Sequence, residues 1–146
     1  MSKALRSPHR SLDLARVLLV DDNLTSRLTL QTVLEAGGYQ VDAAASAAEA
    51  IEKLDKHEYE LVLTDLRMES PEAGLKVLAH ARMMEYKPAT ALVTTYQDSR
   101  ARAGNKRGDG TVLIKPEDLP ELLTRVADLI SERATRRVER ELVARR

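Results

Sequence analysis

The chain has 146 residues, with 23 Lys and Arg balanced by 23 Asp and Glu, and it lacks Cys, Trp and Phe. This length suits one domain with a core of ordinary size, and a formal charge of zero sets up no global field toward nucleic acid or membrane. Disulfides and thiolate metal sites are excluded, no apolar run reaches transmembrane length, and the basic N-terminus has no apolar stretch of the signal-peptide kind. A cytoplasmic protein with no membrane contact and no direct nucleic-acid binding is expected. Charge is uneven along the chain, with four basic and one acidic residue in 1–16 against seven basic and thirteen acidic in 17–96. Residues 131–146 carry six basic and three acidic residues, so both ends are basic and the body is acidic. The core must be built from Leu, Val, Ile and Ala.

Residues 1–15 mix Ser, Pro, His and Arg without periodicity and read as a flexible arm. A domain over 16–130 follows, then a basic helical extension over 131–146. Val17–Val20 is a continuous apolar run, as expected of a strand covered on both faces. Asn23 or Thr25 caps a helix that runs to about Ala36 and stops at Gly37-Gly38. A short strand falls around Gln40–Ala44. Ser46 and Glu49 form a candidate capping box for a second helix, with Ile51 and Leu54 facing inward. Leu61–Thr64 is the third strand. A Pro/Gly-marked loop, Glu69–Gly74, opens a third helix that ends near Tyr86. Strands follow at Thr90–Val93 and Thr111–Ile114, and a last helix starts near Glu117. Between those strands, Gln97–Gly110 has three glycines and no large apolar residue. At most a short helical turn near Ser99–Ala103, then a mobile loop, is expected there.

Strands alternating with helical patterns imply βαβ units on a parallel sheet. The chemistry gathers where strands end. Asp21 and Asp22 follow the first strand and Asp65 closes the third. Ala91-Leu92-Val93 runs into Thr94, and Val112-Leu113-Ile114 runs into Lys115-Pro116. Clustered carboxylates repel and lose hydration, so such a group persists when a cation or phosphoryl group belongs to the design. Carboxylate, carboxylate, hydroxyl and ammonium at the C-terminal ends of strands define a candidate Mg²⁺-dependent phosphate site.

The segments Val-Leu-Leu-Val-Asp21-Asp22-Asn, Leu-Val-Leu-Thr-Asp65-Leu-Arg-Met, Leu-Val-Thr94 and Leu-Ile-Lys115-Pro116 resemble the receiver domain of two-component response regulators. The resemblance spans roughly Arg16 to Ile130. It implies an α/β, doubly wound, five-stranded parallel sheet of flavodoxin-like order 2-1-3-4-5, with helices on both faces. It makes Asp65 the phosphoacceptor and places Mg²⁺ on Asp21, Asp22, Asp65 and the backbone carbonyl of Arg67. Thr94 and Lys115 would contact phosphate oxygens, with the Lys115–Pro116 peptide cis. Taken singly, Thr94 also reads as an ordinary β-branched strand residue, Asp22 as an N-cap, and Asp65 as a cap for the following turn.

The chain departs from the family pattern at several points. Glu69 stands where a Pro is usual, and Gly74 falls one residue late. Val112 replaces the common aromatic switch residue, and Thr95 is bulkier than the usual Ala or Gly. With the atypical fourth-helix region, these departures put the usual output surface in question. Arg67 and Tyr96, at positions that govern water access in the family, imply slow loss of phosphate.

The resemblance implies a stand-alone phosphorylation switch rather than a turnover enzyme. Its partners would be a histidine kinase or histidine phosphotransfer protein and a downstream protein. Ala134, Val138 and Leu142 recur at i+4 spacing in the tail. That stripe reads equally as a solvated helix, a homodimer or docking surface, or the start of a linker in a longer protein. Two rivals remain. A haloacid-dehalogenase-like phosphatase would need a D-x-D pattern where the chain has Asp21-Asp22-Asn23. A degenerate receiver would bind partners without phosphate. His9, His57 and His80 are too dispersed to read as a ligand set, and Gly37-Gly38 does not form a dinucleotide motif.

Overall fold

The structure is a computed structural model that describes residues 15–65, 68–70, 72–93, 112–114 and 119–144, with the backbone alone for 112–114 and 119. Its elements are β1 (Arg16–Val20), α1 (Leu24–Ala36), β2 (Gln40–Ala44), α2 (Ala47–Lys56), β3 (Leu61–Asp65), α3 (Ala73–Arg82), β4 (Ala89–Val93), β5 (Val112–Ile114) and α4 (Leu119–Ala144). All strand pairs are parallel, in the order β2-β1-β3-β4, and the three residues of β5 pair with the outer side of β4. Of the arm expected over 1–15 only Ala15 is described, and it is not loose, being buried in the core with its carbonyl accepting from the Gln40 N–H at 2.9 Å; residues 1–14, the loop Gln97–Gly110 and the Lys115–Pro116 peptide lie outside the described residues.

Alternate strand residues go to opposite faces of a pleated sheet. Val17, Leu19, Leu61, Leu63, Ala91 and Val93 pack with Leu30 and Leu34 of α1 and Leu122 and Val126 of α4. Leu18, Val20, Val62 and Leu92 face the other way, onto Ala50 and Leu54 of α2 and Val77, Leu78 and Ala81 of α3. Both faces of the strands are therefore dry, which explains their unbroken apolar runs.

The helix ends follow from single residues. Asn23 Oδ1 accepts from the Ser26 N–H at 2.8 Å and starts α1, so the cap belongs to Asn23 and leaves Asp22 out of it. At the other end the Gly38 N–H donates to Glu35 O at 3.0 Å and the Tyr39 N–H donates to Leu34 O at 3.1 Å. This is a Schellman stop, and it needs the φ of 102° that Gly38 supplies. Ser46 Oγ accepts from the Glu49 N–H at 3.1 Å, but Glu49 Oε1 accepts from Ala45 N–H at 2.8 Å, one residue before the cap.

The third helix ends at Arg82, short of the Tyr86 expected from sequence. The N–H groups of Met83 and Met84 turn back to His80 O and Ala81 O, tightening the last turn. The chain then reverses through Lys87, which has a φ of 45°. Lys87 precedes Pro88, whose ring disfavours a right-handed helical residue before it.

The last helix, α4, runs well past the core. Arg133, only 7% exposed, is its last buried residue. Its guanidinium donates from Nε to Lys87 O at 2.9 Å and from Nη2 to Tyr86 O at 2.6 Å. Burial, with Arg137 and Arg140 nearby on the same helix, lowers its pKa from the usual arginine value, while Glu60 and Glu58 act the other way.

Candidate functional site

Parallel pairing sets Val20 of β1 opposite Thr64 of β3. The next residues, Asp21 and Asp65, therefore leave the sheet side by side at its C-terminal edge. Carboxylate oxygens of Asp21, Asp22 and Asp65 all lie within 4.8 Å of one another. Asp21 is 2% exposed, Asp65 is 9% exposed, and Asp22 is open to solvent. Two carboxylates are thus held at the floor of the site and a third at its rim.

Backbone geometry holds the first acid. The Asp21 N–H donates to Ala44 O at 3.0 Å, continuing the β1–β2 ladder by one residue. Asp21 Oδ1 accepts from the Asn23 N–H at 2.9 Å, and Arg27 Nη1 donates to the Asp21 carbonyl at 2.8 Å. The main chain is thereby bent so that Asp22 points out beside Asp21. The cluster offers only hard oxygen donors, with neither sulfur nor imidazole among them. That donor set fits Mg²⁺, which takes a few carboxylates and keeps several waters; the exposed side at Asp22 leaves room for those waters.

The segment beyond Asp65 is tied down at three points. Met68 packs on the second core face, with its Sδ 3.9 Å from the buried Thr64 hydroxyl. Glu69 Oε2 accepts from the Ala47 N–H at 3.1 Å, so the residue standing in place of the usual Pro caps α2 from a distance. Gly74, in the first turn of α3, lies against the Asp65 carbonyl; a Cβ there would come within 2.6 Å of that oxygen. Only the glycine lets α3 approach the end of β3 this closely. A signal for Gly74 was present in the sequence, since the loop was Gly-marked. Glu69 gave none beyond its departure from the family pattern.

Of the six residues expected at the site, the structure brings together Asp21, Asp22 and Asp65. Arg67, Thr94 and Lys115 lie outside the described residues, though β4 and β5 end at Val93 and Ile114, immediately before Thr94 and Lys115. Among the described residues, no helix is long and apolar enough to cross a membrane.

A flavodoxin-like parallel sheet with an acidic cluster at its C-terminal edge defines a class, and comparison with known proteins narrows it. The family model of the response regulator receiver domain matches residues 17–127. The chain belongs to that family, whose members are signalling domains of two-component systems. It is similar to the sensory/regulatory protein RpfC of Xanthomonas campestris pv. campestris, with 30% identity over 119 residues, covering 78% of this chain and 16% of RpfC. It is equally similar to the transcriptional regulatory protein CpxR homolog of Haemophilus influenzae, with 30% identity covering 84% of this chain and 53% of that protein. The chain thus spans about half the length of one relative and a far smaller share of the other. Among solved structures it resembles a response regulator receiver protein from Sinorhizobium medicae, with a TM-score of 0.69 and 27% identity over 84% of this chain and 98% of that one. It also resembles the response regulator protein TrrA of Thermotoga maritima in complex with Mg(2+)-BeF, with a TM-score of 0.66 and 28% identity over 80% of this chain and 99% of that one.

Proposed function

We propose that this chain is a cytoplasmic phosphorylation switch that accepts a phosphoryl group on Asp65 from a histidine kinase or histidine phosphotransfer protein. The observation that carries this reading is the convergence of Asp21, Asp22 and Asp65 within 4.8 Å at the C-terminal edge of the sheet. In the reaction, a carboxylate oxygen of Asp65 attacks phosphorus, the phosphorus–nitrogen bond of the donor breaks, and the imidazole leaves with that electron pair. Asp21, Asp22, Asp65 and the Arg67 carbonyl would hold Mg²⁺, which offsets the negative charge of the incoming phosphoryl oxygens. Thr94 would donate a hydrogen bond to one of those oxygens and Lys115 would pair with another. The strand β5 serves as the fifth strand of a receiver sheet, and Lys115 directly follows it in sequence. Asp65 ends as an acyl phosphate, so the chain is a phosphoprotein and not a turnover enzyme. Output runs through contacts with a downstream protein.

The likeness to a receiver solved with Mg(2+)-BeF supplies the test. With Mg²⁺ present, beryllofluoride should shift backbone amide signals around Asp65 and the ends of β1 and β3. Mg²⁺ binding without any further response to beryllofluoride would favour the phosphate-independent binding module instead.

A further inference from the structure

At the opposite edge of the sheet, a groove of about 420 Å³ opens between the end of α2 and the turn after α3. Its lining includes the carboxylates of Glu58 and Glu85, the Asp55 carboxylate, which His80 Nε2 meets at 2.8 Å, and the apolar Met83, Met84 and Tyr86. Lys56 also lines it, but its ammonium is bridged to Glu52 at 3.5 Å. Met83 is 77% exposed, so the groove has an uncovered apolar wall with acidic groups around it.

The projecting end of α4 has the complementary character. Its residues 134–144 are all exposed and extend about 16 Å past Arg133. Val143, 65% exposed, lies beside Arg140 and Ala144, while the exposed Val138 and Leu142 are on the other side of the helix. Arg137, Arg140 and Ala144 continue the helix face that begins at Arg133, at the i+4, i+7 and i+11 positions, with Arg137 Nε in an exposed pair with Glu141 at 3.8 Å. The two surfaces share one anchor, because Tyr86 both lines the groove and accepts from Arg133 at 2.6 Å. No described residue of α4 lines the groove of its own chain.

We infer that the occupant of this groove is the projecting α4 helix of a second copy of this chain, in a two-fold dimer. A two-fold interface needs both complementary surfaces on one patch, and here they adjoin. The Arg face of each helix, with Val143 beside Arg140, enters the acidic, Met-walled groove of the other copy. A formal net charge of zero leaves no global repulsion between copies. The phosphoacceptor edge stays open, because the groove lies below the start of β3 and β4.

Sedimentation of the full chain tests this. The wild type should dimerise in the range of about 100 µM or below. Glu85→Arg alone, or Arg137→Glu with Arg140→Glu, should weaken association at least about tenfold with circular dichroism unchanged. Combining the groove and helix reversals in one chain should restore the dimer, an outcome that mere misfolding cannot give. A wild type that stays monomeric would assign the groove to another occupant, such as residues 1–14, and overturn the inference. A dimer indifferent to both reversals would overturn it equally.

Discussion

The carbonyl oxygen of Asp65 lies against Gly74, with 2.6 Å left for any Cβ at that position. The close approach couples the start of α3 to the residue proposed to accept phosphate. A Gly74→Ala methyl must displace the end of β3 or the first turn of α3. The loss of stability should be about 1–3 kcal/mol, as for other overpacked sites. Phosphoryl uptake should fall by more than that loss explains, by up to about a hundredfold, because a small misplacement of a reacting group is costly. Thermal melts beside an intact-mass time course with acetyl phosphate separate the two effects.

Arg133 holds α4 to the turn at Tyr86 and Lys87 through two hydrogen bonds from a buried guanidinium. Truncation to Ala should destabilise the chain by about 1.5–3 kcal/mol, the range for hydrogen bonds made by charged groups. Hydrogen exchange should rise most in α4 beyond Val126 and in the Met83–Pro88 turn. Uniform protection in the variant would show that packing alone holds the helix.

Asp42 receives the Tyr59 hydroxyl at 2.7 Å and Arg16 Nη2 at 2.9 Å, both on Oδ2. Burial disfavours its charge, but the Tyr59 hydrogen bond and the Arg16 guanidinium outweigh that and hold its pKa below the usual aspartate value. The folded pKa is thus lower than the unfolded one. The stabilisation is complete above the unfolded pKa and fades as pH falls through the folded value. Stability of the wild type should therefore drop in acid, below the ordinary aspartate range, and Asp42→Ala should flatten that part of the curve. At neutral pH the variant leaves the buried Tyr59 hydroxyl without its acceptor, at about 1–3 kcal/mol. Urea unfolding across pH measures both effects.

The strands and the acidic cluster were legible in the sequence because each breaks a local expectation. Unbroken apolar runs such as Val17–Val20 need cover on both faces, and acids at the ends of such runs need a reason to be there. Asn23 and Gly37-Gly38 carry their own local geometry and marked the bounds of α1. Arg133 was not legible, since its partners are backbone carbonyls 46 and 47 residues away and carbonyls leave no mark in sequence. Glu69 was hidden for the same reason, as it caps a helix 22 residues earlier through a main-chain N–H. The end of α3 was overestimated because Met83, Met84 and Tyr86 continue an apolar pattern. Tyr86 is held by a bond from its hydroxyl to Leu54 O at 2.9 Å and needs no helix to bury its ring.

Loss of phosphate from Asp65 should be slow. Hydrolysis needs water in line with the bond from Asp65 to phosphorus. Arg67 and Tyr96 are large, neither is a carboxylate or amide able to orient that water, and Thr95 is bulkier than the Ala or Gly usual at its position in the family. Orientation is worth roughly 7–11 kcal/mol at its limit, of which a fraction applies here. A Tyr96→Glu, Arg67→Asn double variant should release phosphate faster than the wild type in a parallel time course. Equal rates would remove the shielding argument.

The most direct test of the account is intact-mass and peptide mass spectrometry after incubation with acetyl phosphate and Mg²⁺. The wild type should gain a single phosphoryl group on Asp65, and the gain should disappear when Mg²⁺ is chelated. Asp65→Asn should gain none. An adduct of equal yield on Asp65→Asn, or one on another residue of the wild type, would contradict the assignment of Asp65 as the phosphoacceptor.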